Sequence, residues 1–179
     1  MPDSSGEPTV SSETIFQGKI LNLRVDTVRM PNGRLATREI AEHSHSICAV
    51  PIDELGNVLL VRQYRKPSEA DMLEVVAGGI EDGEDPQEAA LRELREEVGH
   101  TAQNLQLLSS FWIAPGWCTE YMYAYLATGL TPSKLAADDD EHISVVRVPL
   151  DQVPSLIQSG EIEDAKSIAA LLLAMRAVA

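Results

Sequence analysis

Gly78-Gly79-Ile80-Glu81-Asp82-Gly83-Glu84-Asp85-Pro86-Gln87-Glu88-Ala89-Ala90-Leu91-Arg92-Glu93-Leu94-Arg95-Glu96-Glu97-Val98-Gly99 is the stretch on which the reading of this chain turns. Its second half predicts a helix over residues 86–98. Asp85 is a good N-cap, Pro86 suits the first helical position, Glu88 stands at capping-box distance and Gly99 stops the helix. At about 100° per residue, Glu93, Glu96 and Glu97 fall within roughly a 100° arc. Ala90, Leu91, Leu94 and Val98 fill a neighbouring arc that can face a core. Three carboxylates at i, i+3 and i+4 repel one another, so helix stability alone disfavours them. Two readings answer that cost. One is an oxygen-ligand site for a hard cation, Mg2+ or Mn2+. The other is a solvated acidic face with Arg92 and Arg95 as partners.

Outward from this helix the chain reads as strands. Apolar residues alternate over 18–30, Asn32-Gly33 is a strong hairpin signal, and residues 34–42 alternate again, which predicts an N-terminal antiparallel strand hairpin. Residues 47–52 and 58–64 give two more strands, joined through Leu55-Gly56-Asn57, and residues 72–76 a short one that runs into Gly78-Gly79. Strands return at 105–113, 121–127 and 143–148. Tyr121, Tyr123 and Tyr125 alternate there as packed strand residues do. Helices at 152–159 and 165–178 close the chain, each preceded by an Asp cap and the first followed by Gly160. Strands on both sides of one helix, with helices at the end, describe a mixed α/β or α+β sandwich. Residues 1–12, rich in Ser, Pro, Glu and Asp, read as a loose arm. Residues 13–45 form the hairpin unit and residues 46–179 the main domain.

A length of 179 residues fits one sizeable core. The formal charge of −14 argues against a nucleic-acid partner, which needs a basic patch to replace counterions. Such acidity also poses a question of how an anionic substrate would be held, and a divalent cation with a few placed arginines answers it. Cys48 and Cys118 form no CxxC pattern and read as free thiols of a reducing compartment. The N-terminus lacks the basic-then-apolar order of a secretory signal. No apolar run approaches the roughly 20 residues that cross a bilayer. The expectation is a cytoplasmic protein with no membrane partner. His43 and His45 would share a strand face, either as a metal pair still lacking a third ligand or as ordinary exposed histidines.

Residues 78–99 resemble the Nudix box, GX5EX7REUXEEXGU with U apolar. Gly78, Glu84, Arg92, Glu93, Leu94, Glu96, Glu97 and Gly99 all agree, and only the last position departs, His100 standing where an apolar residue is usual. The motif has a plain physical logic. A glycine loop lets backbone carbonyls turn toward a metal, and a capped helix delivers carboxylates to the same point. The resemblance implies the α+β, mixed α/β/α sandwich of the Nudix type and a metal-dependent hydrolase. It implies Glu93 and Glu97 as principal metal ligands, Glu96 as an additional ligand, and the carbonyl of Ala77 as a backbone ligand. Gly78, Glu84, Arg92 and Gly99 then fall at positions that fix the loop and orient the glutamates.

From about Ile15 onward the chain resembles the ADP-ribose pyrophosphatase subgroup. Pro115 lies 16 residues beyond Gly99, the spacing of that group, within Ala114-Pro115-Gly116-Trp117-Cys118-Thr119-Glu120. Val61-Arg62-Gln63-Tyr64-Arg65, Leu73-Glu74-Val75-Val76-Ala77-Gly78 and the hairpin's Thr37-Arg38-Glu39 are also similar to family sequence. The likeness implies a homodimer that exchanges its N-terminal strands, and a loop bearing Pro115 and Glu120 that approaches substrate. Arg38 and Arg65 become candidate substrate arginines, against an exposed strand residue and a partner for a nearby acid. Phe16 becomes a candidate adenine stacker, against a core residue. In Asp138-Asp139-Asp140-Glu141, otherwise a solvated loop, Glu141 is the candidate catalytic base, with Asp139 and Asp140 as rivals and Glu96 next.

The expected reaction is metal-dependent hydrolysis of the diphosphate bond of ADP-ribose or a related nucleoside-diphosphate sugar, giving a nucleoside monophosphate and a sugar phosphate. A GDP-mannose or broad-range nucleotide-sugar pyrophosphatase is the alternative on the same scaffold. A non-catalytic ADP-ribose-binding sensor is the alternative from another class. Sensors usually lose box glutamates, all of which are present here.

Overall fold

The computed structural model describes residues 6–135 and 143–178. The described residues form strands β1 (Thr9–Gln17), β2 (Asn22–Arg29), β3 (Leu35–Glu42), β4 (Ser46–Pro51), β5 (Asn57–Arg65), β6 (Ala70–Glu74) and β7 (Val76–Gly79). Helix α1 (Pro86–Glu97) follows, then β8 (His100–Trp112), β9 (Tyr121–Pro132) and β10 (Ile143–Pro149), a 3-10 turn at Leu150–Gln152, and helices α2 (Val153–Ser159) and α3 (Ala165–Val178). They fall into two units. One runs up to His45 and takes in Trp112–Tyr121, and the other holds Ser46–Phe111 and the chain from Met122 onward.

The first unit is an antiparallel sheet of order β1-β2-β3. The Asn32-Gly33 turn closes as its residues dictate, with Met30 N–H donating to the Arg34 carbonyl and Gly33 N–H to the Met30 carbonyl, both at 2.8 Å, and Gly33 at φ 83°. Residues 9–12, assigned to a loose arm by composition, are in β1 instead. Thr9, Ser11 and Ser12 stand opposite Val28, Thr27 and Asp26. Ladder bonds are backbone bonds, so a polar segment rich in Thr, Ser and Val is held once a strand edge is offered. The loop after β8 is pinned to the end of β3: Ala41 N–H donates to the Trp117 carbonyl at 2.8 Å and Thr119 N–H to the Ala41 carbonyl at 3.0 Å. His43 and His45 lie in the connection between β3 and β4, not on a shared strand face. His43 Nδ1 sits 2.7 Å from the Ser44 carbonyl, and the His45 ring is tilted against Tyr121.

The second unit is the layered sandwich. Its sheets have orders β10-β5-β6 and β7-β4-β9-β8. β4 is buried along its whole length, which explains its unbroken apolar run. Ile47 and Ala49, with Leu59, Val61 and Val76, pack on Ala89, Ala90, Leu94 and Val98 of the α1 segment. Cys48 and Val50, with Val58, Leu60, Leu73 and Val75, pack on Ala170, Leu171 and Ala174 of α3. Alternate residues of β4 and β5 thus face opposite helices, which is the α/β/α arrangement. Burying a side chain such as Leu94 or Leu171 stabilises by about 1.5–3 kcal/mol.

Two local elements differ from expectation. The run 72–76 is not one strand: β6 pairs with β5, β7 pairs with β4, and the chain changes sheet at Val75. Helix α2 has Gln152 at its N-cap with no side-chain cap bond, because Asp151 is taken up in the preceding 3-10 turn. Asp164, by contrast, accepts from Ser167 N–H at 3.0 Å and caps α3 as expected.

Candidate active site

α1 starts where its sequence says. Asp85 accepts from Gln87 N–H at 2.8 Å, Pro86 opens the helix, and Gly99, at φ 68°, takes the left-handed turn beyond the C-cap Val98. The apolar face of α1 is buried in the core, so its rotation is fixed. Glu93 and Glu97 are then carried inward, at 9% and 8% exposure.

Both buried carboxylates meet the start of the glycine strand. Glu97 Oε2 accepts from Ala77 N–H at 3.3 Å. Glu93 lies so close to Gly78 that a Cβ there would collide with its carboxylate. Gly78 is therefore required by close approach and not by a special φ. Four of the expected positions, Ala77, Gly78, Glu93 and Glu97, are brought to one place.

Arg92 organises the remainder. Its Nε and Nη2 donate to the two oxygens of Glu84 at 2.9 and 3.0 Å, and Nη2 also donates to the Gly79 carbonyl at 2.9 Å. Nη1 donates to Glu93 at 2.6 Å and to Glu96 at 3.1 Å. The Glu84 hydrogen bonds hold the Arg92 guanidinium above its ordinary value, and Arg92 holds the Glu84 carboxyl below the usual carboxylate range. Among the described residues, no three His, Cys, Asp or Glu side chains form a ready-made metal cluster. A cation here could draw on Glu93 and Glu97 together with the Ala77 carbonyl. The donors are hard oxygens on rigid elements, and they fit Mg2+ or Mn2+. Beside Glu96 and Glu97 a hollow of about 260 Å³ is also lined by Lys134, Ile143 and Val145.

Arg65 is held by an acid. Its Nε and Nη2 donate to Glu74 at 2.8 Å each, and its side chain stays 39% exposed. Burial works to raise the Glu74 carboxyl, but the Arg65 bonds and Lys166 outweigh it, so Glu74 is held low. In the first unit, Arg38 pairs with Glu7 through Nε and Nη2 at 2.8 and 2.6 Å. Arg38 and Pro115 line one cavity of about 370 Å³ together with Arg24, Trp117 and Cys118. Glu120 N–H donates to Cys118 Sγ at 3.4 Å. Phe16 is 56% exposed on β1 and is not part of this chain's own core. Glu141, with its rivals Asp139 and Asp140, lies outside the described residues. Sequence reasoning missed Lys134, Lys166 and Ser167. Nothing local marks them, and only the fold brings them to residues already singled out.

Helix carboxylates laid against a glycine strand, in a sandwich of this topology, put the chain in the class of Nudix pyrophosphohydrolases. It belongs to the NUDIX domain family, whose model matches residues 42–171, and residues 7–41 match the nucleoside diphosphate sugar hydrolase N-terminal domain. It is 38% identical to an ADP-ribose pyrophosphatase of Bacillus subtilis over 167 residues, 92% of this chain and 90% of the relative. An ADP-ribose pyrophosphatase of Mycobacterium tuberculosis is 39% identical over 167 residues, 92% of this chain and 81% of the relative. A crystal structure of an ADP compounds hydrolase superposes with a TM-score of 0.87 at 28% identity, covering 95% of this chain and 92% of the other.

Proposed function

We propose that this enzyme hydrolyses the diphosphate bond of ADP-ribose or a close nucleoside-diphosphate sugar, releasing a nucleoside monophosphate and a sugar phosphate. The observation that carries the reading is the seating of two buried carboxylates, Glu93 and Glu97, against the Ala77–Gly78 backbone. Glu93, Glu97 and the Ala77 carbonyl would hold Mg2+ or Mn2+, with Glu96 as a further ligand. When bound, such a cation neutralises phosphate oxygens and lowers the pKa of a water. The protein supplies the rest. Arg92 fixes Glu93 and Glu96 in place. Arg65 offers a half-exposed guanidinium, already oriented by Glu74, to an anionic substrate. Arg38, Phe16, Pro115 and Glu120 of the first unit serve the nucleoside and ribose, and Glu141 takes the proton of the attacking water.

A release assay over a panel of nucleotide sugars, with Mg2+ and Mn2+, tests this directly. Phosphatase-sensitive product from ADP-ribose is expected, and its loss by orders of magnitude in Glu93→Gln and Glu97→Gln. No release from any nucleotide sugar, or full activity in both variants, refutes it.

The working form in this reading is a cytoplasmic homodimer that shares residues 13–45. Every residue of β1 is exposed, including Val10, Ile15 and Phe16, each more than half exposed. Such apolar surface favours cover by a second copy. Light scattering should give twice the chain mass, and mixed dimers of Arg38→Ala with Glu97→Gln chains should regain activity. A fully active monomer would sink the idea.

A further inference from the structure

The first turn of α3 holds the segment that leads into the glycine strand. Glu74, at the end of β6, is 1% exposed. Besides its two bonds from Arg65, it accepts from Lys166 Nζ, and Lys166 also donates to Asp164 at 2.8 Å. Two cations and two carboxylates close a neutral cluster. One residue on, Val75 N–H donates to Ser167 Oγ at 2.9 Å, and Ser167 Oγ donates to Asp164 at 2.5 Å. Ser167 is fully buried. Two and three residues further along, Ala77 and Gly78 meet Glu97 and Glu93.

Stability alone does not call for this arrangement. Buried ion pairs are costly to desolvate, and well-packed apolar residues often serve a core as well or better. What the cluster adds is direction: a fixed plane for the Arg65 guanidinium and a fixed place for Val75, where the chain passes from β6 to β7.

We propose that Lys166 and Ser167 are positioning residues of this active site, acting through Glu74 on Arg65 and through Val75 on the Ala77–Gly78 backbone. The inference rests on the reading of Arg65 as a substrate group and Ala77 as a metal group. Loss of the Lys166 charge leaves the cluster net negative beside Arg65, which weakens its hold on an anion. Loss of the Ser167 hydroxyl strands the Val75 N–H and frees the segment to shift.

The test compares Lys166→Met, Lys166→Arg and Ser167→Ala in the full chain. Three quantities are read: Mn2+ binding to substrate-free protein by electron paramagnetic resonance, kcat and KM for ADP-ribose, and thermal unfolding. Lys166→Met should raise KM by about tenfold or more, and Lys166→Arg should recover most of it. Ser167→Ala should weaken Mn2+ binding by a similar factor and lower kcat. Variants that melt earlier but keep the parent KM, kcat and Mn2+ affinity overturn the proposal, since the cluster would then serve the fold alone. If Ser167→Ala does not fold, Lys166→Met decides, its side chain being 14% exposed at a less buried site. A parent chain inert on every nucleotide sugar defeats the functional reading instead, and Mn2+ binding by Ser167→Ala still decides this one.

Discussion

Arg92 grips Glu84 with a two-bond fork, Nε to one carboxylate oxygen at 2.9 Å and Nη2 to the other at 3.0 Å. Glu84 in turn accepts from Glu81 N–H at 3.0 Å, so the loop before α1 is tied to the helix that carries the other glutamates. The same guanidinium reaches Glu93, Glu96 and the Gly79 carbonyl. One planar group thus sets the distance between loop, helix and strand.

Arg92→Lys keeps the charge and loses the fork, because an ammonium cannot bridge two oxygens in a fixed plane. Turnover should fall by about 100-fold, the usual cost of an ångström-scale misplacement. The near-ultraviolet circular dichroism spectrum should stay that of the parent. Parent-like turnover would show that Arg92 serves only as a counter-charge.

Gly78→Ala separates function from folding. The added methyl meets the carboxylate end of Glu93, not backbone, so the side chain swings away at modest cost to stability. The displaced group is the one assigned to metal. Denaturant midpoints should move little while activity is lost. A large loss of stability with intact specific activity would mean that the backbone gives way instead.

Acid stability should report on Glu74. Its carboxyl is held below its ordinary value of 4.5, burial being outweighed by Arg65 and Lys166. A depressed folded value contributes stability that is present above the unfolded value and lost as pH falls through the folded one. Glu84 and Asp53 are shifted in the same direction. The parent should therefore lose unfolding free energy below about pH 4.5. Glu74→Gln should be less stable than the parent at pH 7, and the gap should close on acidification. Urea titrations at pH 7 and in the acid range measure it, and a gap that stays constant would contradict the shift.

Much of the site could be read from the chain because it is local. Glu84, Arg92, Glu93, Glu96 and Glu97 lie on one loop and one helix, where capping and a 3.6-residue period fix their faces. The strand at 47–52 was equally legible, and β4 covers it as far as Pro51. What could not be read is non-local. Lys166 and Glu74 are 92 residues apart, and so are Ser167 and Val75. Lys134 reaches the hollow beside Glu97 only because Ser133 and Leu135 donate to the carbonyls of Gly99 and Arg95. The sheet change at Val75 fails for the same reason. The apolar run is continuous, and only the partners on either side differ.

The last prediction concerns the catalytic base. An attacking water must lose its proton as it meets phosphorus, and a placed carboxylate adds typically about 10²–10⁴-fold to the rate. Glu141 is proposed because in the sequence it comes two residues before β10, whose Ile143 is paired with Gln63 of β5. On the other side, Leu135 N–H is bonded at 3.0 Å to the Arg95 carbonyl, near the end of the helix that carries Glu93 and Glu97. Glu141→Gln should lower kcat strongly and leave Mn2+ and substrate affinity nearly unchanged, since the carboxylate would act mainly in the transition state. Asp139→Asn and Asp140→Asn are the controls, and both should stay active. If one of them abolishes turnover while Glu141→Gln does not, the base is that aspartate. If all three keep their activity, the proton goes to a box carboxylate, and Glu96, already held at 3.1 Å by Arg92, is the first to replace.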